Sequence, residues 1–299
     1  MSNNNNLTSA KKAKNDEFYT QLSDIEKELQ HYTEHFKNKI VLCNCNDANY
    51  GNFSQYFVLN FDKLDLKELI CTSYGDNSKV LFYHGETNEK LLLDINLCEQ
   101  HDLIENGDFR SGEMIELLKR ADIVCTNPPF SLFREYVAQL MAYNKKFLII
   151  GNMNAITHEI IFPLIRDNLI WLGVNTNGHN MTFISDGEKK DVTAVWYTNL
   201  DHNKRHKPLE LYKHYSVEEY PKYDNYDAIE VGRVSDIPMD YNDVMGVPIT
   251  FLENYCPTQF RIVGCTYQYG IPSGWDENTK MKASVNGKLL YKRLLIKKI

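Results

Sequence analysis

Short apolar runs alternate along the chain with longer segments in which apolar residues recur at helical spacing. The runs predict strands at residues 39–43, 69–73, 121–125, 146–150 and 169–172. The longer segments predict helices at residues 23–36, 111–120, 133–143 and 158–166, with another helix ending near Leu59. Strands that alternate with helices of about ten residues are typical of βαβ units. The pattern therefore predicts an α/β fold with a mostly parallel, twisted sheet.

Two further pairs of apolar runs predict antiparallel strands. Residues 80–83 and 91–95 flank the polar segment HGETNEK and indicate a β-hairpin insertion. Residues 181–184 and 192–197 indicate a pair that closes the sheet with an antiparallel terminal strand. After about Leu200 the periodicity fades until residues 247–251 and 260–266, and tyrosines become dense: Tyr212, Tyr215, Tyr220, Tyr223 and Tyr226. We expect a soft domain boundary there.

This pattern predicts that the chain is organised in three segments. Residues 1–14 begin with the polar, low-complexity stretch MSNNNNLTSA and carry Lys11, Lys12 and Lys14, which indicates a flexible basic arm. Residues 15–200 contain the regular α/β pattern, and residues 201–299 form a smaller, irregular region.

Composition narrows the class of protein. The 299 residues are 43% hydrophobic, include no apolar run of about twenty residues, and begin without a signal-peptide pattern. The seven cysteines are odd in number and lack CxxC spacing, so we expect reduced core residues and no metal site. These features predict a cytoplasmic protein with no membrane contact.

The net charge of −7 argues mildly against a nucleic-acid partner, but the charge is unevenly distributed. The last twenty residues contain no acidic residue and seven basic ones: Lys280, Lys282, Lys288, Lys292, Arg293, Lys297 and Lys298. Such a local patch attracts phosphate. The alternative is a C-terminal strand that merely exposes lysines to water.

The tetrapeptide Asn127-Pro128-Pro129-Phe130 directly follows the predicted strand at 121–125. Ligands of open α/β sheets bind beyond the carboxyl ends of the strands. The Asn127 side-chain oxygen and the Pro128 carbonyl could accept the two hydrogens of an adenine amino group and expose its nitrogen lone pair. The two prolines stiffen the loop, and Phe130 offers a face for an extruded base. The alternative is a rigid turn after a strand.

Other chemistries have no support in the sequence. The nine histidines are scattered, and no local nucleophile signature combines Ser, His and Asp or Cys and His. The isolated glycines form neither GxGxxG nor a Walker loop, so nicotinamide or ATP chemistry is not indicated.

The chain resembles the EcoRI-type adenine-specific DNA methyltransferases over most of its length. The resemblance rests on the segments NDEFYT at 15–20, IVLCNCND at 40–47, GDFRS at 107–111, TNPPF at 126–130, GVPITF at 246–251 and NGKLLYKR at 286–293. It implies a Rossmann-like class I methyltransferase fold in which residues 201–299 recognise the DNA target, and it implies S-adenosylmethionine as cofactor.

The resemblance also implies roles for matched positions. Phe18, Tyr19 and Thr20 would line the cofactor pocket near the methionine moiety. Asp108 would accept from the amine of the cofactor's adenine and Phe109 would pack on its ring. In each case the alternative is a structural turn, a core aromatic or, for Asp108, a cap on the following helix.

One loop departs from the wider methyltransferase pattern, because no glycines follow the first strand until Gly51. Asn44 and Asn46 could replace glycine, since asparagine tolerates left-handed backbone geometry. Asp47 could reach the cofactor's amino group or cap the next helix.

The expected function is site-specific methylation of adenine N6 in double-stranded DNA by a monomer or weak dimer; a cognate restriction endonuclease does not follow from this chain. Alternatives are a catalytically impaired nucleic-acid-binding protein and an amino-methyltransferase acting on cytosine N4, RNA adenine or a protein glutamine amide.

Overall fold

The computed structural model describes residues 19–45, 51–75, 77–85, 99–176, 180–185, 188–266 and 282–299. The helices are α1 (Leu22–Leu29), α2 (Thr33–Phe36), α3 (Asn52–Leu59), α4 (Gly112–Arg120), α5 (Phe133–Ala142) and α6 (Ile161–Arg166). The strands are β1 (Tyr19–Thr20), β2 (Ile40–Cys43), β3 (Glu68–Thr72), β4 (Lys79–Tyr83), β5 (Glu99–Asp102), β6 (Ile123–Thr126), β7 (Lys146–Asn152), β8 (Trp171–Leu172), β9 (Asn180–Ser185), β10 (Glu188–Thr198), β11 (Ile229–Glu230), β12 (Met245–Pro248), β13 (Phe260–Cys265), β14 (Ser284–Val285), β15 (Lys288–Leu289) and β16 (Arg293–Lys298). Short 3-10 helices span Met153–Thr157, Asn203–His206, Val234–Asp236 and Ile249–Asn254.

The chain forms two compact units. The first comprises Met1–Met153 and Gly173–Leu200, and the second comprises Asn154–Leu172 and Asp201–Ile299. The first unit is therefore discontinuous along the chain.

The first unit is built on a mixed sheet with strand order β1-β9-β10-β7-β6-β2-β3-β4-β5. The four central strands β7, β6, β2 and β3 are parallel. Antiparallel strands extend the sheet on both sides, with β10, β9 and β1 next to β7 and with β4 and β5 next to β3. The predicted mixed α/β fold is confirmed, as is the predicted antiparallel pair β9–β10. Antiparallel strands occur at both edges, however, and not at one alone.

The predicted hairpin insertion is only partly correct. Its first strand exists as β4, but β4 pairs with β5 at Glu99–Asp102. The predicted partner, residues 91–95, lies outside the described residues, as does the arm at residues 1–14.

Buried strands and one-sided helices explain the core of the first unit. Strands β3 and β6 are buried along their whole length, as expected for continuous apolar runs in a covered sheet. Helices present one face to this core: α1 buries Ile25 and Leu29, and α4 buries Met114 and Leu118. Ser111 caps α4, since its hydroxyl accepts from the Met114 backbone N–H at 3.3 Å.

Two predicted helices are shorter in the structure. The segment 23–36 is interrupted between α1 and α2, and the interruption turns Tyr32 inward, where its hydroxyl donates to the buried Glu28 carboxylate at 2.8 Å. The helix predicted at 158–166 begins only at Ile161. Pro163 is then in the first turn, where a missing N–H costs no helical hydrogen bond.

The Glu28 carboxylate binds the backbone near Gly173, where the second segment of the first unit begins. The carboxylate accepts from the backbone N–H groups of Val174 and Asn175, each at 2.7 Å. Burial raises the pKa of Glu28, and these donors together with Tyr32 oppose that rise. A methyl group on Gly173 would lie 2.2 Å from a Glu28 carboxylate oxygen, so only glycine fits beside this contact.

The second unit contains a four-stranded sheet in the order β11-β12-β16-β13 and a small hairpin, β14–β15. Strand β11 is parallel to β12, and the other neighbours are antiparallel. A core of Tyr223, Tyr226, Ala228, Ala283 and Leu295 packs in this unit. The region predicted as irregular therefore has its own sheet, although long segments such as 207–228 lack regular strands.

Six cysteines lie in the described residues and all are free thiols, five of them buried, in agreement with the predicted reduced core. Within the same described part of the chain, no helix is long and apolar enough to cross a membrane.

Candidate active site

Three loops meet at the carboxyl edge of the parallel centre. Asn44 directly follows β2 and Asn127 directly follows β6, and these strands are parallel neighbours, so both residues leave the sheet at the same edge. A third loop, residues 103–111, is held at the end of β3, because the Gly75 N–H donates to the Asn106 carbonyl at 3.0 Å. This edge is where ligands of parallel sheets bind.

The loops after β2 and β6 are tied together directly. The Thr126 hydroxyl donates to the Asn44 backbone carbonyl, and both residues are buried. Because the Thr126 hydroxyl is bonded to the neighbouring loop, it fixes the position of the backbone directly before Asn127. The Asn127 Oδ1 atom is itself shielded from solvent.

The tetrapeptide forms a turn that leads into α5. The Leu132 N–H donates to the Pro129 carbonyl at 2.9 Å, and Pro128 is buried. The Phe130 ring packs edge-to-face against Phe183 of β9, with ring centroids 6.0 Å apart. Proline pairs restrict φ and donate no hydrogen bond, so the loop is stiff and presents carbonyl oxygens.

Strand β1 brings the N-terminal segment to this region. Thr20 lies opposite Phe183 in the β1–β9 pair, and its carbonyl accepts from the Asn52 side chain at 2.6 Å at the start of α3. The buried Thr20 hydroxyl has no partner among the described residues. A buried hydroxyl without a partner is costly, which favours a ligand there. For Tyr19 the backbone pairing alone is described, opposite Ile184.

Asn44 is held by a buried tyrosine that the sequence did not single out. The Tyr136 hydroxyl, on α5, donates to the Asn44 side-chain oxygen, and the two residues are 0% and 3% exposed. Burial holds the pKa of Tyr136 well above its ordinary value, so the hydroxyl remains a donor. This bond joins α5, the helix after the tetrapeptide 127–130, to the loop after β2.

The left-handed position after β2 is Cys45, with φ of 59°, and not Asn44 as expected. Asn44 uses its side-chain oxygen as the acceptor for Tyr136. Burial raises the pKa of the Cys45 thiol to about 12, and the nearby Asp108 charge adds to this, so Cys45 stays a neutral thiol. Asn46, Asp47 and Phe18 lie outside the described residues.

Phe109 is buried and faces the same tyrosine. Its ring meets Tyr136 edge-to-face at 5.0 Å, and the Gln139 side chain donates to its carbonyl at 2.9 Å. The guanidinium of Arg110 lies over the Phe109 ring at 5.3 Å. The structure therefore brings Phe109 and Asn44 to one aromatic side chain, Tyr136.

Asp108 is oriented by Arg110, its second neighbour in sequence. The Arg110 Nε and Nη2 atoms donate to the two carboxylate oxygens at 2.9 and 2.6 Å, and the Arg110 backbone N–H adds a third bond at 2.9 Å. These bonds lower the pKa of Asp108, which remains an anion. The Oδ1 atom accepts two of these bonds and Oδ2 only one, so Oδ2 can still accept from a ligand amine.

Gly107 sets the path of this loop. Its φ is +73°, and a methyl group here would lie 2.1 Å from the Ser73 carbonyl oxygen. Both conditions require glycine. Arg110, Gly107, Tyr136 and Gln139 were not predicted as site residues. The first two lie within or beside the GDFRS segment, which is the signal that could have found them.

The chain matches known proteins over nearly its whole length. The sequence profile of the family described as adenine-specific methyltransferase EcoRI matches residues 6–299. The chain belongs to this EcoRI methylase family. Within the family, it is 47% identical to the Type II methyltransferase M.EcoRI of Escherichia coli, over 97% of this chain and 95% of that protein.

Two mycoplasma proteins extend the comparison of this EcoRI methylase family member. The chain is 38% identical to the Type II methyltransferase M.MgeORF184P of Mycoplasma genitalium, over 97% of each chain. It is 37% identical to M.MpnI of Mycoplasma pneumoniae, over 96% of each chain. No solved structure matches the chain significantly.

Proposed function

We propose that this EcoRI methylase family member transfers a methyl group from S-adenosylmethionine to the N6 amine of an adenine in duplex DNA. The observation that carries the proposal is the position of Asn127-Pro128-Pro129-Phe130, at the carboxyl end of a central parallel strand and tied through Thr126 to Asn44. The family profile, which is described as adenine-specific, supports adenine as the base.

The residues at this edge fit the proposed cofactor. Asp108 offers an anionic acceptor, Phe109 an apolar wall, and Thr20 a buried hydroxyl without a partner among the described residues. When bound, S-adenosylmethionine supplies a methyl group on a positively charged sulfur. We assign Thr20, Asn44, Asp108 and Phe109 to its pocket, and the adjoining Phe18, Tyr19, Asn46 and Asp47 by their neighbourhood in sequence.

The chain's contribution to methyl transfer is positional. The Asn127 side-chain oxygen and the Pro128 carbonyl accept the two amino hydrogens of the adenine, which exposes the nitrogen lone pair. Phe130 stacks on the extruded base. Holding the reactants in line is worth about 7–11 kcal/mol in favourable cases. The amine becomes acidic only after it gains the methyl group, so no strong general base is required.

The fold supports the same assignment. We assign the first unit to the Rossmann-like class I methyltransferases, because its parallel centre β3-β2-β6-β7 places the loops after β2 and β6 side by side. We assign target recognition to residues 201–299 of the second unit, whose last twenty residues carry the basic cluster.

Replacement of Asn127 with alanine tests the proposal. We expect Asn127→Ala to lower methylation by at least about 100-fold, as when one stabilising hydrogen-bond partner is removed from an active site, while S-adenosylmethionine binding measured by calorimetry stays within a few-fold. The assay uses radiolabelled cofactor and mixed-sequence duplex DNA, followed by digestion to nucleosides.

The product identifies the base, since N6-methyladenine supports the proposal and N4-methylcytosine contradicts it. Asn144, an exposed asparagine between α5 and β7 at the amino edge of the sheet, provides the matched control. Its φ is 51°, which glycine adopts readily, so Asn144→Gly should retain full activity. Undiminished N6-methyladenine formation by Asn127→Ala would refute the role assigned to Asn127.

A further inference from the structure

A tight β-hairpin in the second unit presents apolar and basic residues to solvent. Strands β14 and β15 are joined by Asn286 and Gly287, whose φ values are 50° and 74°. Positive φ at both central residues is characteristic of a type I′ turn, for which Asn-Gly is a preferred sequence. We call residues 282–291 the NG hairpin.

The turn is clamped by a neighbouring carboxylate. Asp224 accepts from the backbone N–H groups of Asn286 and Gly287 at 3.0 and 2.9 Å, and these bonds lower its pKa. Asn225 adds two contacts, accepting from the Ser284 N–H at 3.1 Å and donating to the Lys282 carbonyl at 3.0 Å. These bonds hold the hairpin in one conformation. They also occupy the Asp224 carboxylate with the backbone N–H groups of the turn.

The two faces of the NG hairpin differ. Ala283 is fully buried, and Val285 and Leu290 pack against the tyrosine core of the second unit. Leu289 is 63% exposed and Tyr291 is 60% exposed. One face of this rigid hairpin is packed against the core, and the other exposes a leucine. Such an exposed apolar residue on a fixed support indicates a binding surface.

The charge around this leucine is positive. Lys282 and Lys288 are both exposed, and neither forms an ion pair with a described carboxylate. Arg293 and Lys297 differ, because they face Glu230 at 2.7 Å and Asp243 at 3.9 Å. Lys282 and Lys288 of the NG hairpin are thus two exposed lysines near Leu289 whose charge no described carboxylate neutralises.

We propose that the NG hairpin is a DNA-contacting element, in which Leu289 packs against base steps of the bound duplex and Lys282 and Lys288 contact phosphates. Aliphatic side chains on a rigid basic support act as wedges between base steps, and lysines at phosphates supply salt-dependent affinity. Extrusion of a base disrupts stacking, and a wedge compensates for that loss. The inference rests on the proposed function and specifies which residues of the second unit meet its substrate.

The test compares three variants of the full chain: Lys288→Gln, Leu289→Ala and, as control, Lys63→Gln. Lys63 is an exposed lysine in the turn between α3 and β3, at the amino edge of the first-unit sheet. The probe is a short duplex carrying the site that the wild-type protein methylates, with 2-aminopurine in place of the target adenine. Affinity is measured by anisotropy over a series of salt concentrations.

We expect Lys288→Gln to reduce the slope of log affinity against log salt by about 0.9, the value for one phosphate contact. We expect Leu289→Ala to keep the wild-type slope, to weaken binding by about 10-fold, as for loss of a buried aliphatic side chain, and to reduce the 2-aminopurine signal of extrusion. Lys63→Gln should match wild type. All three sites are exposed, so melting temperatures should not change.

Wild-type slope for Lys288→Gln together with wild-type affinity for Leu289→Ala would overturn the inference while leaving methylation by the wild-type protein intact. Loss of a dimer in Leu289→Ala by sedimentation, with unchanged DNA affinity, would also overturn it and indicate a protein contact. If the wild-type protein forms no methylated adenine, the proposed function is refuted but the role of the NG hairpin is not. That role can still be tested by measuring the affinity of the same variants for a duplex of arbitrary sequence by anisotropy.

Discussion

Replacing Tyr136 with phenylalanine removes a single hydroxyl from the junction between two loops of the candidate site. The ring keeps its packing against Phe109, at 5.0 Å between centroids, so little apolar contact is lost. The Asn44 oxygen that accepted the hydroxyl is in a residue only 3% exposed, and water cannot readily replace the donor. A buried acceptor that loses its donor costs about 1–3 kcal/mol.

This energy can appear in stability, in cofactor affinity, or in both. If Tyr136 positions Asn44 for S-adenosylmethionine, the lost 1–3 kcal/mol reduces the free energy of cofactor binding. The dissociation constant then rises by about 5- to 150-fold. If the bond only supports the fold, guanidinium unfolding shows the loss and the dissociation constant stays constant. Calorimetry with S-adenosylmethionine and equilibrium unfolding of the same preparation separate the two contributions.

Tyr32→Phe provides the matched control. Tyr32 is also buried, and its hydroxyl donates to the carboxylate of Glu28 on α1 at 2.8 Å. We expect it to lose stability without changing cofactor affinity. An unfolding free energy for Tyr136→Phe within about 0.5 kcal/mol of wild type, together with unchanged affinity, would show that the Tyr136–Asn44 bond does not hold the site.

Two further predictions concern a backbone position and a titrating group. Gly107→Ala should destabilise the protein by roughly 1–3 kcal/mol in denaturant unfolding, because φ is +73° and the added methyl group would meet the Ser73 carbonyl. Gly232 has open space around it, so Gly232→Ala should leave the unfolding free energy unchanged. Equal effects of the two substitutions would contradict this reasoning. Burial lowers the pKa of His202 to about 4 from 6.5, so the unfolded chain takes up its proton first as pH falls. Stability should therefore decrease from pH 6.5 towards 4, by at most on the order of 3 kcal/mol from this group, and a His202→Gln variant with the same decrease would contradict the assignment.

Local patterns in the sequence were sufficient for the parallel centre of the first unit. The continuous apolar run of β6 leads directly into Thr126 and the tetrapeptide 127–130, which is why this candidate site could be placed at a strand end from sequence alone. The β4–β5 pairing could not be predicted, because β5 has the polar sequence EQHD and no alternation of apolar residues.

Long-range contacts account for most of what the sequence did not reveal in the candidate site. Tyr136 and Asn44 are 92 positions apart, and no local pattern links an α5 tyrosine to the loop after β2. Asparagine propensity favoured a left-handed backbone at Asn44, whereas the left-handed residue directly after Asn44 is Cys45, a residue type that propensity does not single out. The sheet of the second unit was missed for a similar reason, since its strands pair across long irregular segments.

The discontinuity of the first unit has a consequence for biosynthesis. Strand β1 emerges from the ribosome early, but its partner β9 and the adjoining β10 come only after residues 154–172, which belong to the second unit. A nascent chain that stops before β10 begins at Glu188 therefore leaves β7 with an uncovered edge, a surface prone to pairing with other chains. Shortened products ending in this interval should be held by chaperones or aggregate, whereas synthesis past Leu200 supplies the strands that close the edge.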